Sequence, residues 1–130
     1  MQGSLAQSLV AVMQSSRKTF QNEAEVQEWL DFNLRASGAN YEREAPLSPH
    51  ARIDFLVRAH PPWATPQRIG IEVKVKDSAT AILRQLYEYA PYVDELILVS
   101  TRYQHHVVWD LWNEAGRKPA LHFVHLNGSF

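Results

Sequence analysis

Asp54 lies in the run Arg52-Ile53-Asp54-Phe55-Leu56-Val57, and Glu72 and Lys74 lie in Ile69-Gly70-Ile71-Glu72-Val73-Lys74-Val75-Lys76. Both runs are apolar and β-branched enough to be buried, and a buried carboxylate costs several kcal/mol unless something pairs with it. Two acids and a lysine brought together suit a hard divalent cation such as Mg2+, which takes carboxylate oxygens, backbone carbonyls and waters. The Val73 carbonyl is a natural additional ligand. Such an ion polarises a phosphoryl oxygen and lowers the pKa of a bound water. Lys74 then orients that water or stabilises the charge on the phosphorane, as an ammonium or, with a depressed pKa, as a base. The competing reading, a cross-strand salt bridge on a solvated face, is disfavoured by Gly70 and by the dense β-branched flanks.

These residues need strands to hold them. Ala51 to Ala59 and Arg68 to Lys76 alternate as strands do, and Pro61, Pro62 and Pro66 make the connection a loop. Side chains alternate between faces, so Ile53, Phe55 and Val57 point one way and Asp54 the other with Arg52 and Leu56. Ile71, Val73 and Val75 share a face, opposite Glu72, Lys74 and Lys76. A hairpin centred near Trp63 sets Asp54 across from Glu72 or Lys74, about 5 Å apart at Cβ.

The flanking elements follow from periodicity and caps. Asn22 to Arg35 is helical, capped by Thr19 or Asn22 and ended at Gly38, with Val26, Leu30 and Leu34 on one face. Tyr41 to Leu47 is a short strand. Ser78 to Tyr92 is a helix with Ile82, Leu83, Leu86, Tyr89 and Ala90 inward. Glu95 to Ser100 is a central strand with a parallel neighbour. Val107 to Trp112 suits a helix stopped at Gly116, and Ala120 to Leu126 a last strand. Helix, three strands, helix, strand, helix, strand implies an α/β fold: a mixed sheet with helices on both faces. The expectation is a single domain over 1–130, with 1–18 an arm or a helix.

Composition narrows the class. A chain of 130 residues buries one core. With no cysteine, a disulfide framework and a thiolate zinc site are excluded. No apolar run approaches the roughly 20 residues of a membrane span, so a cytoplasmic protein is expected. The net charge of −1 does not advertise a polyanion partner; the charge that matters is local, at Arg43, Arg52, Arg58, Lys74, Lys76, Arg84 and Arg102.

Asp54 followed by Glu72-Val73-Lys74 resembles the D…(D/E)xK signature of the PD-(D/E)XK nuclease superfamily, and the element order from Asn22 to Ser100 resembles its restriction-endonuclease-like core. Ile53 stands where the name-giving proline would. The resemblance implies cleavage of DNA, or less often RNA, dependent on Mg2+ or Mn2+. It also implies a glutamate on the first helix that completes the metal site. Of Glu23, Glu25 and Glu28, Glu23 projects along the Val26, Leu30 and Leu34 side while the other two face solvent. Glu44, on the first strand, is its rival. Gln85-Leu86-Tyr87-Glu88-Tyr89 resembles the QxxxY element of exonuclease-like branches, where Gln85 would orient a carboxylate, water or phosphate and Tyr89 would support it.

Asp54, Glu72, Lys74 and Gln85 are thus the expected catalytic set, with Glu23, Asp54, Glu72 and Val73 around the metal. Arg52, Lys76 and Arg84 are the expected nucleic-acid contacts, with Arg102 a further phosphate candidate. The six histidines match no zinc spacing with a catalytic glutamate. Trp109 and Trp112 read as core or dimer surface. Recognition rests on phosphate contacts and nucleic-acid shape, with a homodimer or partner protein supplying more surface. The alternatives are a non-catalytic nucleic-acid-binding or complex-subunit module of the same fold, and an RNA-cleaving relative.

Overall fold

A computed structural model describes residues 5–60 and 65–129. The expected turn around Pro61, Pro62 and Trp63 lies outside them. In chain order the elements are α1 (Leu5–Gln14), β1 (Thr19–Phe20), α2 (Glu23–Ala36), β2 (Asn40–Ser48), β3 (Ala51–Ala59), β4 (Gln67–Val73), α3 (Ala79–Tyr89), β5 (Glu95–Ser100), α4 (His106–Glu114), β6 (Ala120–His125) and β7 (Asn127–Gly128). Short 3-10 turns at Ala90–Tyr92 and Tyr103–His105 follow α3 and precede α4. The expected mixed α/β architecture is the observed one.

Strands β2-β3-β4-β5-β6 form one sheet in that order. The first two neighbour pairs are antiparallel and the last two parallel. Phe55, Val57, Ile69, Ile71, Val73, Ile97, Val99 and Val124 pack in one layer with buried residues of α1 and α2. Leu56, Leu96, Leu98 and Leu121 pack in the other with Ile82, Leu86 and Tyr89 of α3 and Val108 and Trp112 of α4. The N-terminal segment is therefore a docked helix, with Ala6 and Met13 buried. The two-residue β1 and β7 pair in parallel; elements so short leave no periodic trace in sequence. No helix among the described residues is long and apolar enough to cross a membrane.

Capping explains where the site-bearing helices begin. The Asn22 side chain accepts from Glu25 N–H (2.9 Å), and Glu25 Oε1 accepts from Gln21 N–H (3.1 Å), so two otherwise unpaired donors are satisfied reciprocally. Gly38, at φ +76°, follows the helix end. Ser78 caps α3 by accepting from Ala81 N–H (3.2 Å).

Two strand expectations need correction. Strand β4 stops at Val73, not Lys76; Lys74 N–H still reaches the Val99 carbonyl (2.9 Å), and the chain then turns toward α3. The alternation of β3 also breaks at Asp54. Phe55 and Val57 pack beneath α1 and α2, whereas Ile53 packs with Leu56 beneath α3. The partner strand β2 does the same: Arg43 lies over the Phe55 ring, while Ala45, paired with Ile53, joins the opposite layer. Between them Glu44 sits in the left-handed region at φ +50°. A residue there bends the strand and re-aims its neighbours.

Gly70 makes room for this crossover. A Cβ on it would stand 2.5 Å from Ile53 Cδ1 and 3.3 Å from both Leu96 Cδ2 and Val93 Cγ1. Gly70→Ala is therefore expected to destabilise the chain by about 1–3 kcal/mol through overpacking, read as a lowered denaturation midpoint. An unchanged midpoint would show that Ile53 yields freely.

Candidate active site

Strands β3 and β4 pair from Ala59–Gln67 to Phe55–Ile71 and then separate. Side chains continue the ladder where they part. Asp54 N–H donates to Glu72 Oε1 (3.0 Å), and Val73 N–H donates to Asp54 Oδ2 (2.8 Å). Each carboxylate thus satisfies a backbone donor across the gap, as buried donors require. The sequence expectation that Asp54 faces Glu72 across a hairpin holds in the geometry.

Glu72 is the more deeply buried, 3% exposed. Its Oε2 lies 3.1 Å from the Tyr89 hydroxyl and 3.3 Å from Lys74 Nζ. The Tyr89 hydroxyl is also 2.9 Å from the Arg52 carbonyl, which can only accept. Burial first, and the Asp54 charge second, push the Glu72 carboxyl up to about 8. The Tyr89 hydroxyl donates toward both oxygens, and its bond to Glu72 opposes the upward shift. Asp54 is likewise raised, chiefly by burial and also by Glu44, against the Val73 N–H and Lys74. Burial would lower Lys74, but Glu72 and Asp77 outweigh it, and its pKa is raised. The charged form of Lys74 is thus favoured by its two acidic neighbours, with Nζ 3.1 Å from Asp77 Oδ2.

Helix α2 brings Glu23 alongside. Its pKa is raised by burial and then by Asp54, with Lys74 and Lys76 opposing. A groove of about 400 Å3 lined by Asn22, Glu23, Ala24, Val75, Lys76 and Asp77 opens between the start of α2 and the loop after β4. Glu25, expected to face solvent, is half-buried and spent on the cap, and Glu28 pairs with Arg43 (2.9 Å). Glu44 is exposed, and its charge acts on Asp54.

The donor set suits a divalent cation. Glu23, Asp54, Glu72 and Asp77 surround one buried-edge lysine, and mutual repulsion helps to raise the Glu72 carboxyl. Among the described residues no three His, Asp or Glu side chains converge as a metal cage. Glu23 therefore does not close a three-carboxylate shell in this structure. Asp54 and Glu72 are the two carboxylates that would hold such an ion, since Mg2+ takes few protein ligands.

The remaining candidates divide. Tyr89 touches Glu72, whereas Gln85, one turn earlier on α3, hydrogen-bonds to no described residue. Arg52, Lys76 and Arg84 are exposed and make no ion pair among the described residues. Arg43 and Arg58 are engaged by Glu28 and Glu42. Trp112 is core, its Nε1 donating to the Pro119 carbonyl (2.8 Å).

Sequence reasoning missed Asp77 and the tether behind it. Buried His105 holds its Nε2 2.8 Å from the Asp77 carbonyl and its Nδ1 2.7 Å from Ser100 Oγ. The three-residue step from Lys74 to Asp77 was a signal. The link to His105, 28 residues away, left none.

With this geometry in place, the fold can be compared with known proteins. It is similar to the crystal structure of a repair endonuclease from Pyrococcus abyssi. The TM-score is 0.54 at 18% identity, over 86% of this chain and 50% of that one. The two share a fold. This chain spans about half the length of that protein. No family model and no curated protein matches the chain.

The Glu72 shift sets a pH dependence. Its folded value of about 8 exceeds the ordinary 4.5, so the folded chain holds a proton the unfolded chain has released. That stability is fully present below about pH 4.5 and is lost as pH rises through about 8. In metal-free buffer the melting temperature is expected to fall over this window, and Glu72→Gln to flatten the fall. An unchanged slope in Glu72→Gln would assign the dependence to another group.

Proposed function

We propose that this chain is a metal-dependent nuclease that hydrolyses phosphodiester bonds in DNA, structure-selectively or without sequence preference. The observation that carries the reading is the buried Asp54–Glu72 pair at the parting of β3 and β4, with the Lys74 ammonium on Glu72. A structural salt bridge needs one acid per base. Two buried carboxylates with raised pKa values around one lysine are a costly arrangement, and a divalent cation would offset it. The shared fold with a repair endonuclease supports the same direction.

In this reading Asp54, Glu72 and the Val73 carbonyl would hold Mg2+ or Mn2+, with Glu23 of α2 as a further acid near them. When bound, the ion supplies a polarised phosphoryl oxygen and a water of lowered pKa. The protein's own groups do the rest. Asp54 N–H and Tyr89 fix the Glu72 rotamer. Asp77 holds Lys74 so that its ammonium meets the negative charge that develops on the phosphorane. Gln85, on the Tyr89 face of α3, orients a water or a phosphate oxygen. Exposed Arg52, Lys76 and Arg84 take backbone phosphates, which position the strand without reading its sequence.

Asp54→Asn retains an oxygen for the Val73 N–H, and Lys74→Ala removes the ammonium together with its stem. Each is expected to cut Mg2+-dependent DNA cleavage by at least about a hundredfold while circular dichroism stays unchanged. Wild-type turnover in Asp54→Asn would reject the assignment. Binding that persists in EDTA, with no cleavage of duplex, single-stranded or branched DNA in Mg2+, would mark a non-catalytic module instead.

Glu23→Ala is expected to lower activity at unchanged stability. Glu25→Ala is expected to cost about 1 kcal/mol of helix capping at unchanged activity. Equal activity in the two variants would remove Glu23 from the site.

A further inference from the structure

Beyond the acid pair, the same edge of the sheet carries a cluster of rings. Strands β4, β5 and β6 are parallel and in register through Val73–Val99 and Val99–Val124. Their C-terminal ends, at Lys74, Ser100 and His125, therefore line one edge. Neighbouring strands are about 4.8 Å apart, so β6 lies roughly 10 Å across from β4, a span that a short stretch of polynucleotide covers. Asp77 joins the two regions: its carboxylate holds Lys74 and its carbonyl takes His105, which sits between Tyr103 and His106 in the chain.

At the β6 end a groove of about 380 Å3 is lined by Tyr103, His106, Trp109, His122, Phe123 and His125, among others. The Tyr103 ring lies flat on His106 (5.6 Å between centroids, 9° between planes) and meets His125 at 5.7 Å and 77°. His106 also packs on Trp109 and, edge-on, on Phe123. Asp110 and Glu95 hold His106 (3.2 Å) and His122 (3.1 Å). Despite this support Tyr103 remains 65% exposed. An exposed aromatic ring braced from behind presents a surface to a ligand. None of the lining residues is Lys or Arg, so the groove offers faces for bases and no charge for phosphates.

We infer that this groove is a stacking platform for unpaired bases of single-stranded DNA, on the same sheet edge as the acid pair. The inference rests on the nuclease reading and names the substrate class for it: DNA with a single-stranded segment passing from the Tyr103 platform to Lys74. Stacking suits such a strand because every base has a π-face, whereas paired bases in a duplex do not present theirs. Arg102, next to Tyr103 in the chain, is exposed and without an ion partner among the described residues, and would take a phosphate beside the platform.

The test is binding in EDTA, where cleavage plays no part. Fluorescence anisotropy would compare a labelled oligothymidylate of about 12 nucleotides with a duplex of equal length. Tyr103→Ala is expected to weaken oligothymidylate binding roughly 5- to 100-fold and leave duplex binding unchanged, and Tyr103→Phe to restore it. Unchanged affinity in Tyr103→Ala, or equal loss for both ligands, would overturn the platform. So would sedimentation showing a dimer that Tyr103→Ala dissolves without altering oligonucleotide affinity. Failure of the nuclease reading is separable: it appears as absent cleavage in Mg2+ with Tyr103-dependent binding intact.

Discussion

Two carboxylates stand in for a missing stretch of β-ladder. Where β3 leaves β4, Asp54 takes the Val73 N–H and Glu72 takes the Asp54 N–H. Each bond satisfies a backbone donor that the parting strands would otherwise leave unpaired. The cost is two acids in a poorly solvated cleft, and their pKa values are raised accordingly. Lys74 and the Tyr89 hydroxyl offset part of that cost, whereas Glu23 adds a further like charge. Tyr89 comes from α3, Lys74 from the end of β4 and Asp77 from the following loop. On the other layer, α2 adds Glu23 at its first turn, where the positive helix end favours an acid.

The sheet topology explains why these groups can meet. A hairpin alone would hold Asp54 opposite Glu72, but it would leave both in water. The parallel β5 keeps β4 central, and Lys74 N–H continues that pairing after β3 has gone. One side of the cleft is thus closed by ladder while the other opens. Ser100 and His105 then tie the Asp77 loop to the end of β5. The loop carrying the counter-ion of Lys74 is held by buried hydrogen bonds on a rigid strand end, the arrangement by which second-layer groups orient a site.

The strand irregularity belongs to the same design. Glu44 adopts a left-handed conformation beside Asp54, and both β2 and β3 exchange faces across that point. Ile53 crosses to the α3 layer and fills the space over Gly70. Asp54 is left at the turn between layers, half-buried, with its carboxylate toward β4. A regular strand would have set it squarely on one face. The irregular one lets residues of both layers, α2 and α3, stand around one pair of acids.

The chain's own pattern determined much of this. Alternation and helical periodicity yielded the element order. Ser78, Asn22 and Gly38 marked helix ends that the structure keeps, because caps and left-handed turns depend on a few adjacent residues. The D…ExK spacing brought Asp54 and Glu72 together, because a short hairpin leaves little freedom of register. Only the tertiary structure decided that Ile53 changes layer, that β4 ends at Val73, that Lys74 meets both Glu72 and Asp77, and that Tyr89 reaches Glu72. It alone brought Asp77 and His105 together and set Tyr103 beside His125. These depend on how strands separate, how much water is excluded and which residues meet across the sheet. Such quantities are set by three-dimensional packing between distant segments and have no periodic signature along the chain.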